Sequence, residues 1–448
     1  MPGSGWWSGE VSDTHSHSAA FARGSLLPPE PPPARSVGAV GWLRQNLFSS
    51  WLNAALTLLS LALLTWLLAA VLPWIVQSSW TASSLSECRA QIRTAFGPEA
   101  SGACWAVIRE RWAQLVFGFY PSEIYWRPVL AFGIALGGMA PVLFPGVPRR
   151  ALYLSVAAPF LVPWLLWGGT VWLPVAVALG FALGYVAYRI VDAVAGTLPG
   201  TIAAALVPVL WWLWLAGPAA GQLQAVLPLG IEPVSSRDFG GFMLSITIGV
   251  TAITLSLPFG ILLALGRQSR MFIVKSLCVG VIEFVRGVPL ITLLFVAWLL
   301  LNYFMPPDTN FDIVLRVIIM VTLFASAYVA EVIRGGLAAL PRGQYEAADA
   351  LGLDYWKAQR LIVMPQALKI SIPGIVSTFI GVFKDTTLVS IIGLLDPVGF
   401  SNSIRADVNW NGIVWELYGF IAALFFVFCF SMSRYSMYLE RRLRTERR

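Results

Sequence analysis

Acidic and basic residues recur at a spacing of three inside apolar stretches of this chain. Glu283 is followed by Arg286, and Glu331 is followed by Arg334. On a helix this spacing places both members on one face, where they can form a salt bridge. Ionised side chains are costly in an apolar segment and usually pair there. The spacing therefore predicts two ion pairs, which would either anchor helix ends or form a gate or contact network beside a transport pathway.

Lys384 and Asp385 form a third charged site in an apolar stretch. Neighbouring residues on a helix point about 100° apart, so these two side chains need separate partners. Such charges indicate either ties between helices or a pathway for a polar solute. Metal chemistry is not indicated: the two histidines, His15 and His17, lie in a stretch rich in Gly, Ser and Pro, and no metal site is expected.

The elements that carry these charges are predicted to be transmembrane helices. The chain has 448 residues, of which 57% are hydrophobic and 12% are charged, about half the ~25% that is typical of a soluble domain. Runs of about twenty apolar residues, enough to cross ~30 Å of hydrocarbon, recur ten times. The predicted spans are 50–76, 128–145, 152–168, 171–190, 199–217, 241–266, 273–303, 313–336, 372–394 and 412–433. The fold class is thus an all-α integral membrane protein with about ten transmembrane helices.

The distribution of Lys and Arg predicts the orientation of these spans. Basic residues concentrate in alternate loops and in the C-terminal tail, so that both termini are expected in the cytoplasm. The net charge of +7 is explained by these loops and by contact with the lipid bilayer, and it does not indicate a nucleic-acid partner. The loops taken as cytoplasmic hold Arg149, Arg150, Arg189, Arg267, Arg270, Lys275, Arg342, Lys357, Arg360 and Lys369.

The loop 77–127 differs from the other loops that this orientation places outside. It holds five Arg and four Glu, which is typical of a small ordered element rather than of a short connection. Cys88 and Cys104 both lie in it. Since disulfides persist in oxidising compartments, a bond between these two cysteines is plausible if the loop is external; otherwise they are free thiols.

A polar segment, EAADALGLDYWKAQRLIVMP at 346–365, interrupts the apolar spans. Its pattern predicts a helix over 343–351, with Gly352 in the left-handed position that ends a helix. Asp354 is then the N-cap of a second helix over 355–363, which Pro365 is expected to terminate. Taken alone, a helix–Gly–helix loop of this kind is most often a simple connector.

The spacing of this segment resembles the EAA loop of the membrane subunits of bacterial ABC importers, with Met364 in place of the usual Leu. The residues that match are Glu346, Ala347, Ala348, Gly352, Ile362 and Pro365. Two further segments, EFVRGVPLITLLF at 283–295 and FKDTTLVSIIG at 383–393, resemble segments of polar amino-acid permeases. The resemblance implies that the matched loop residues couple this chain to an ATPase.

The family resemblance also implies a domain organisation. Residues 1–40 are expected to be a disordered cytoplasmic tail, and 41–240 a membrane extension of about five helices like that of the larger general L-amino-acid permeases. Residues 241–434 then resemble a type I ABC permease domain, and 435–448 form a basic cytoplasmic tail. The implied function is translocation of polar or general L-amino acids across a bacterial inner membrane by alternating access.

The same resemblance implies partners and excludes others. It implies a cytoplasmic ABC ATPase dimer, a periplasmic amino-acid-binding protein, and a second permease that is either related or identical. The chain contains no Gly–Lys dipeptide and hence no Walker A phosphate loop. ATP is therefore expected to bind to a partner subunit, and neither a cofactor nor a catalytic residue is expected in this chain.

A secondary transporter driven by an ion gradient is the alternative interpretation. Asp385 would then be an intramembrane acid that binds H⁺ or Na⁺, and inverted repeats with broken midplane helices would be expected. The sequence shows no clear inverted repeat, and such a transporter has no need of a polar EAA segment.

Overall fold

The computed structural model describes residues 38–300, 303 and 312–445. The predicted disordered tail and the last three residues of the basic tail lie outside this range, except that residues 38–40 begin the first helix. The α-helices, in chain order, are α1 (Gly38–Asn46), α2 (Trp51–Val76), α3 (Leu85–Phe96), α4 (Ala106–Phe117), α5 (Trp126–Leu143), α6 (Leu152–Trp167), α7 (Trp172–Ala195), α8 (Thr197–Leu210), α9 (Ala216–Val226), α10 (Gly241–Gln268), α11 (Phe272–Gly287), α12 (Leu290–Phe295), α13 (Ile313–Ala338), α14 (Gly343–Ala350), α15 (Tyr355–Ala358), α16 (Met364–Asp385), α17 (Pro397–Arg405) and α18 (Trp415–Thr445).

Shorter elements join these helices. The two-residue strands β1 (Gly169–Thr170) and β2 (Gly230–Ile231) pair antiparallel. Because β1 precedes α7 and β2 follows α9, this pair joins the two ends of the segment that contains α7, α8 and α9. π-helical turns cover Trp211–Leu215, Val296–Leu300 and Gln359–Val363. 3₁₀ turns cover Ser122–Ile124, Arg149–Ala151, Ser236–Asp238 and Thr386–Ile392.

The chain divides into two compact units at Trp74 and Ile75. In the first unit, Thr57 donates a hydrogen bond from Oγ1 to Leu47 O (2.9 Å) and to Asn53 O (2.7 Å), which fixes the turn between α1 and α2. The helix α2 has no buried residue. The second unit begins at Ile75 and contains the helices α3 to α18.

The predicted membrane architecture is confirmed. Within the described residues, nine helical segments are long and apolar enough to cross a membrane, or ten if one bent pair counts as a single span. Five precede residue 230 and five follow residue 240. They are Trp51–Val76, Ser122–Leu143, Arg149–Trp167, Trp172–Ala195, Thr197–Val226, Gly241–Gln268, the pair Phe272–Gly287 with Leu290–Leu299, Ile313–Ala338, Tyr355–Ile392 and Trp415–Leu443.

The bent pair corrects the seventh predicted span, which was drawn as one helix over 273–303. The helix α11 ends at Gly287, and α12 begins at Leu290 after a bend of 104°. Pro289 lies between them and has no N–H to continue the helical hydrogen bonds. The size of the bend makes this span a broken one.

Close contacts between small and branched residues hold the second permease half together. A Cβ added at Gly260 of α10 would lie 2.6 Å from Val329 Cγ1 of α13, and one added at Gly336 of α13 would lie 2.6 Å from Ala367 O of α16. Small residues at such crossings let helices in a membrane approach closely. Hence α10, α13 and α16 form one tightly packed set.

The two ends of this set are different. Residues 339–363 lie at one end, here called the EAA end, and residues 393–414 lie at the other, here called the far end. The predicted external element is found at the far end as a folded unit made by α3 and α4. Its disulfide is present, since Cys88 and Cys104 are bonded to each other.

A buried carboxyl group at the far end is expected to make stability depend on pH. Asp396 is fully buried, and its carboxylate caps α17 by accepting from Gly399 N (2.9 Å) and Val398 N (3.2 Å). Burial raises the pKa of this carboxyl to about 6, although both N–H groups favour the ionised form. The folded protein thus binds this proton more tightly than the unfolded chain, whose Asp pKa is about 3.9. The stabilisation is complete below about pH 4 and is lost as pH rises through about 6.

Lowering the pH from 7 to 5 is therefore expected to raise the thermal unfolding temperature of the wild-type protein relative to Asp396→Asn, because the amide cannot take up a proton. Thermal unfolding of both proteins in detergent at the two pH values measures the difference. The exposed Asp349 provides the matched control, and Asp349→Asn should follow the wild type. Identical pH dependence in wild type and Asp396→Asn would contradict the assignment.

Candidate functional site

The EAA segment folds as the sequence predicts up to its second helix. The helix α14 ends before Gly352, which has φ +66° and donates from its N–H to Asp349 O (2.9 Å). Asp354 then caps α15, since its Oδ1 accepts from Lys357 N (2.9 Å) and its Oδ2 lies 3.2 Å from Lys357 Nζ. The backbone N–H of Lys357, with help from the ammonium group, lowers the pKa of Asp354. The result is a compact helix–turn–helix.

The predicted stop at Pro365 is wrong. The chain runs from α15 through the π turn Gln359–Val363 directly into α16, so that Tyr355–Ile392 is a single long span. Pro365 lies in the first turn of α16. Because Pro365 has no N–H to donate four residues back, the preceding turn widens, and Met364 N donates five residues back to Gln359 O. Pro365 thus shapes the entry to α16 without ending a helix.

The residues that resemble the EAA motif do not share one surface. Glu346, Ala347, Gly352 and Pro365 are exposed, whereas Ala348 is buried. Of the two alanines, only Ala347 is open to a partner surface, because the side of α14 that carries Ala348 packs onto the chain itself. A small residue at this position lets the loop lie close to the helices below it.

Three large apolar side chains on the loop were missed by the sequence reasoning. Leu351 is 72% exposed, Trp356 is 68% exposed and Leu361 is 64% exposed. Exposed apolar groups on an otherwise polar loop are typical of a protein–protein contact. The signal was present in the sequence as apolar letters inside a polar segment, but their exposure follows only from the path of α14 and α15.

The loop is firmly attached to the helices behind it. Gln366 of α16 donates from Nε2 to Gln344 Oε1 of α14 (2.8 Å), so the helix and the loop are joined directly. Below this bond, Leu337 and Leu340 pack in one apolar cluster with Val363. A displacement of the loop would therefore be transmitted to α13 and α16.

A cluster of five charged side chains lies in the same half of the helix set. Glu331 is its centre: Oε1 accepts from Arg334 Nη2 (2.6 Å), and Oε2 lies 3.3 Å from Arg267 Nη1 and 3.6 Å from Arg286 Nη1. Arg267 Nη1 also donates to Glu283 Oε1 (2.9 Å). The cluster ties α10, α11 and α13 together, and three guanidinium groups in it face two carboxylates.

These contacts confirm one predicted pair and correct the other. Glu331 and Arg334 pair within α13, as the spacing indicates. Glu283 and Arg286 do not pair with each other, because the helices α10 and α13 beside α11 offer each of them a closer partner of opposite charge. Arg267 was missed as a member, since its position near the end of a span was explained by topology alone.

Arg286 has a second contact that suits a mobile cation. Its guanidinium lies 5.7 Å from the centre of the Tyr328 ring, a cation–π distance. Its Nε is buried without a hydrogen-bond partner among the described residues. Among the five members of the cluster, Arg286 is thus the one with a buried nitrogen that lacks a hydrogen-bond partner within the described residues.

Lys384 and Asp385 lie apart from both the loop and the cluster. They end α16, just before the 3₁₀ turn Thr386–Ile392, and Lys384 is exposed while Asp385 is half-buried. In the part of the chain that the structure describes, no ion pair or hydrogen bond joins either side chain to another helix. The predicted ties to separate partners are not found here. No group of three or more metal-ligating side chains occurs in the described residues either.

Comparisons with known proteins place these features in context. The model of the family of binding-protein-dependent transport system inner membrane components matches residues 256–445. The glutamate/glutamine/aspartate/asparagine transport system permease protein BztC of Rhodobacter capsulatus is 59% identical over 98% of this chain and 100% of its own length. The inner membrane amino-acid ABC transporter permease protein YhdY of Escherichia coli is 41% identical over 94% of this chain and 97% of its own length.

Shorter relatives match less than half of this chain. The probable glutamine ABC transporter permease protein GlnP of Bacillus subtilis is 30% identical over 45% of this chain and 90% of its own length. Among solved structures, a crystal structure of an amino acid ABC transporter with histidines is 30% identical over 45% of this chain and 91% of its own, with a TM-score of 0.40.

Proposed function

Because the chain belongs to the family of inner membrane permease components of binding-protein-dependent amino-acid ABC transporters, we propose that it carries polar L-amino acids, with acidic amino acids and their amides as the first candidates. The support is its 59% identity, over the whole length, to a relative whose name gives glutamate, glutamine, aspartate and asparagine. The ion-gradient alternative is not retained, since family membership assigns ATP as the energy source.

The EAA loop is the observation that carries the proposed mechanism. The loop is a compact helix–turn–helix, here called the knob, with exposed apolar side chains at Leu351 and Trp356. A hydrogen bond between Gln344 and Gln366 joins it to α16. In the proposal, a cytoplasmic ATPase binds this knob. Closure of two ATPase subunits then moves α13 and α16 and alternates the access to the pathway. This chain hydrolyses no ATP and needs no cofactor of its own.

The charged cluster has a defined place in this mechanism. It lies on the α13 helix that runs into the loop, and it joins α13 to α10 and α11. We assign it as a latch that holds the three helices in one arrangement and re-forms in another when the knob moves. Lys384 and Asp385, at the far end of α16, would face either the pathway or a second permease, which is a related chain or a copy of this one.

Two independent features support a proposed orientation. Basic residues concentrate at the EAA end, and cytoplasmic loops carry the excess of Lys and Arg. The disulfide between Cys88 and Cys104 lies at the far end, and disulfides persist in the periplasm. These features support the proposal that the EAA end and both termini face the cytoplasm, and that the far end faces the side from which a periplasmic binding protein would deliver substrate.

Reconstitution in proteoliposomes tests the proposal. The chain is combined with its candidate ATPase, a second permease and a candidate binding protein, and ATP hydrolysis and uptake are measured for each amino acid. Glutamate, glutamine, aspartate or asparagine bound to the binding protein should stimulate both rates, and Leu351→Asp with Trp356→Asp should abolish the stimulation. Uptake that continues without ATP, or that an ionophore abolishes, would contradict the mechanism.

A further inference from the structure

A folded element of the N-terminal half, residues 79–120, covers a segment of the permease half at the far end. We call it the Cys88–Cys104 element. Its apolar side chains and those of residues 395–417 form one buried cluster to which both halves contribute. The cluster contains Ala82, Leu85, Cys88, Ile92, Cys104, Ala106, Val107 and Leu115 from the element, and Phe400, Ile404, Trp410, Ile413 and Leu417 from the covered segment.

The burial in this contact is that of a domain core. Trp410 is 1% exposed, and Phe400 and Leu417 are fully buried. Burial of large apolar side chains away from water is the main favourable contribution to such a core. Repeated separation of the two surfaces in every transport cycle would expose this whole apolar set to water.

Backbone hydrogen bonds join the two surfaces as well. Leu85 N donates to Asn409 O (2.8 Å), which ties the start of α3 to the loop before α18. Cys104 N donates to Glu416 Oε1 (2.8 Å), and Glu416 is 6% exposed in the first turn of α18. A buried carboxylate needs such a donor, and the disulfide fixes the backbone of the residue that supplies it.

The contact between the Cys88–Cys104 element and the covered segment is tightly packed around Gly118 and Gly241. A Cβ added at Gly118 of the element would lie 2.4 Å from Gly240 Cα, and Gly241 N donates to Leu395 O (2.8 Å). The first residue of α10 is therefore wedged between the element and the covered segment. On the rim, Arg111 Nη2 lies 2.6 Å from Asp407 Oδ2, and both of these side chains are 31% exposed.

The element lies outside the region that the family model matches, which is residues 256–445. Relatives such as GlnP match 45% of this chain and 90% of their own length. In this chain, the segment between α16 and α18 packs against the Cys88–Cys104 element, which a disulfide closes.

We propose that the Cys88–Cys104 element is a permanent clamp, which holds residues 395–417 and the first turn of α18 in one arrangement throughout transport. The opposite possibility is a lid, which would have to lift from this surface to admit substrate. Arg111, Asp407 and Glu416 are then positioning residues of the far end. The inference rests on the proposed function only for the existence of a transport cycle.

A cross-link across the rim separates clamp from lid. Arg111→Cys and Asp407→Cys are introduced together in a Cys278→Ser, Cys429→Ser background, and a short bifunctional maleimide joins them in proteoliposomes. Peptide mapping verifies the Cys88–Cys104 bond. The cross-linked protein should keep at least half of the uptake of the same protein treated with a monofunctional maleimide. A tenfold or greater loss that is specific to the bifunctional reagent would overturn the clamp.

Hydrogen exchange provides a readout that does not depend on transport. In Cys88→Ser with Cys104→Ser, amide exchange in residues 400–417 should accelerate about tenfold or more, while residues 343–363 at the EAA end stay unchanged. Unchanged exchange in 400–417 would show that the element does not hold the segment and would refute the proposal. If uptake is absent in every sample, the proposed function fails, and this measurement still decides on the clamp.

Discussion

Replacement of Glu331 by glutamine is expected to lower amino-acid uptake at least tenfold at matched membrane expression. The Glu331 carboxylate is the partner of Arg267, Arg286 and Arg334 at the same time. Its loss leaves three guanidinium groups close together with only Glu283 to offset them. Both like-charge repulsion and the loss of the link between α10, α11 and α13 act in the same direction.

The size of this effect follows from burial. Removal of one partner from a fully buried ion pair costs about 3–5 kcal/mol, and Glu331, whose side chain is 23% exposed, deserves a smaller figure. Even a loss of about 1.5 kcal/mol in the stability of the charged cluster changes the equilibrium between its two arrangements by a factor of about ten. Uptake by proteoliposomes, or by cells with matched amounts of the protein, measures it.

Glu283→Gln is the matched control in the same cluster. The Glu283 side chain is 53% exposed, and its ion pair within the described residues is with Arg267, so that water replaces much of what is lost. A loss of no more than about threefold is expected. Uptake by the charge-swapped double variant Glu283→Arg, Arg286→Glu should be no higher than uptake by the single variants, since these two residues do not pair. Equal losses for Glu331→Gln and Glu283→Gln would contradict the central role of Glu331.

The cluster also shows where sequence reasoning stops. A spacing of three places Glu283 and Arg286 on one face of α11, and that local statement holds. Which charges meet is decided by the neighbouring helices, because Arg267 on α10 and Glu331 on α13 lie closer than the partner on the same helix. Helical periodicity contains no information about such contacts between spans.

Local backbone chemistry was more predictable. Gly352 takes the left-handed conformation and Asp354 caps the next helix, because both preferences act within a few residues. The prediction of a helix end at Pro365 failed because it depends on whether the chain can adapt. Here a π turn over Gln359–Val363 accommodates the missing N–H of the proline, and the helix continues. No such adaptation occurs at Pro289, and the chain bends by 104° between α11 and α12.

The far end required the three-dimensional structure. The sequence indicated an ordered loop with two cysteines that could pair, and the disulfide is present. It gave no sign that this loop and the segment before α18 share one apolar core, since residues 85 and 409 are far apart in the chain. Contacts of this kind have no local sequence pattern.

The variant Gly352→Asp is expected to leave the protein in the membrane but to abolish its co-purification with the ATPase, and uptake should fall to background. Gly352 is exposed on the turn of the knob, and an added Cβ would meet no atom of this chain within 4 Å. The space beside it is therefore open for a partner surface. A charged side chain placed there would lose its water when the partner binds, without gaining a counter-ion.

Backbone strain alone would give a different order of effects, which a series of variants can reveal. At φ +66° an ordinary side chain costs about 1–2 kcal/mol, and Asn and Asp adopt this conformation more readily than Ala. Repulsion between the carboxylate that Gly352→Asp introduces and the exposed Asp354 adds less than about 1 kcal/mol. If Gly352 only ends α14, Gly352→Ala should therefore do at least as much harm as Gly352→Asn or Gly352→Asp. If the turn contacts the ATPase, recovery of the ATPase should fall in the order Ala, Asn, Asp, with normal membrane insertion of all three. Equal recovery and normal uptake for the whole series would remove Gly352 from the coupling surface and leave Leu351 and Trp356 as its centre.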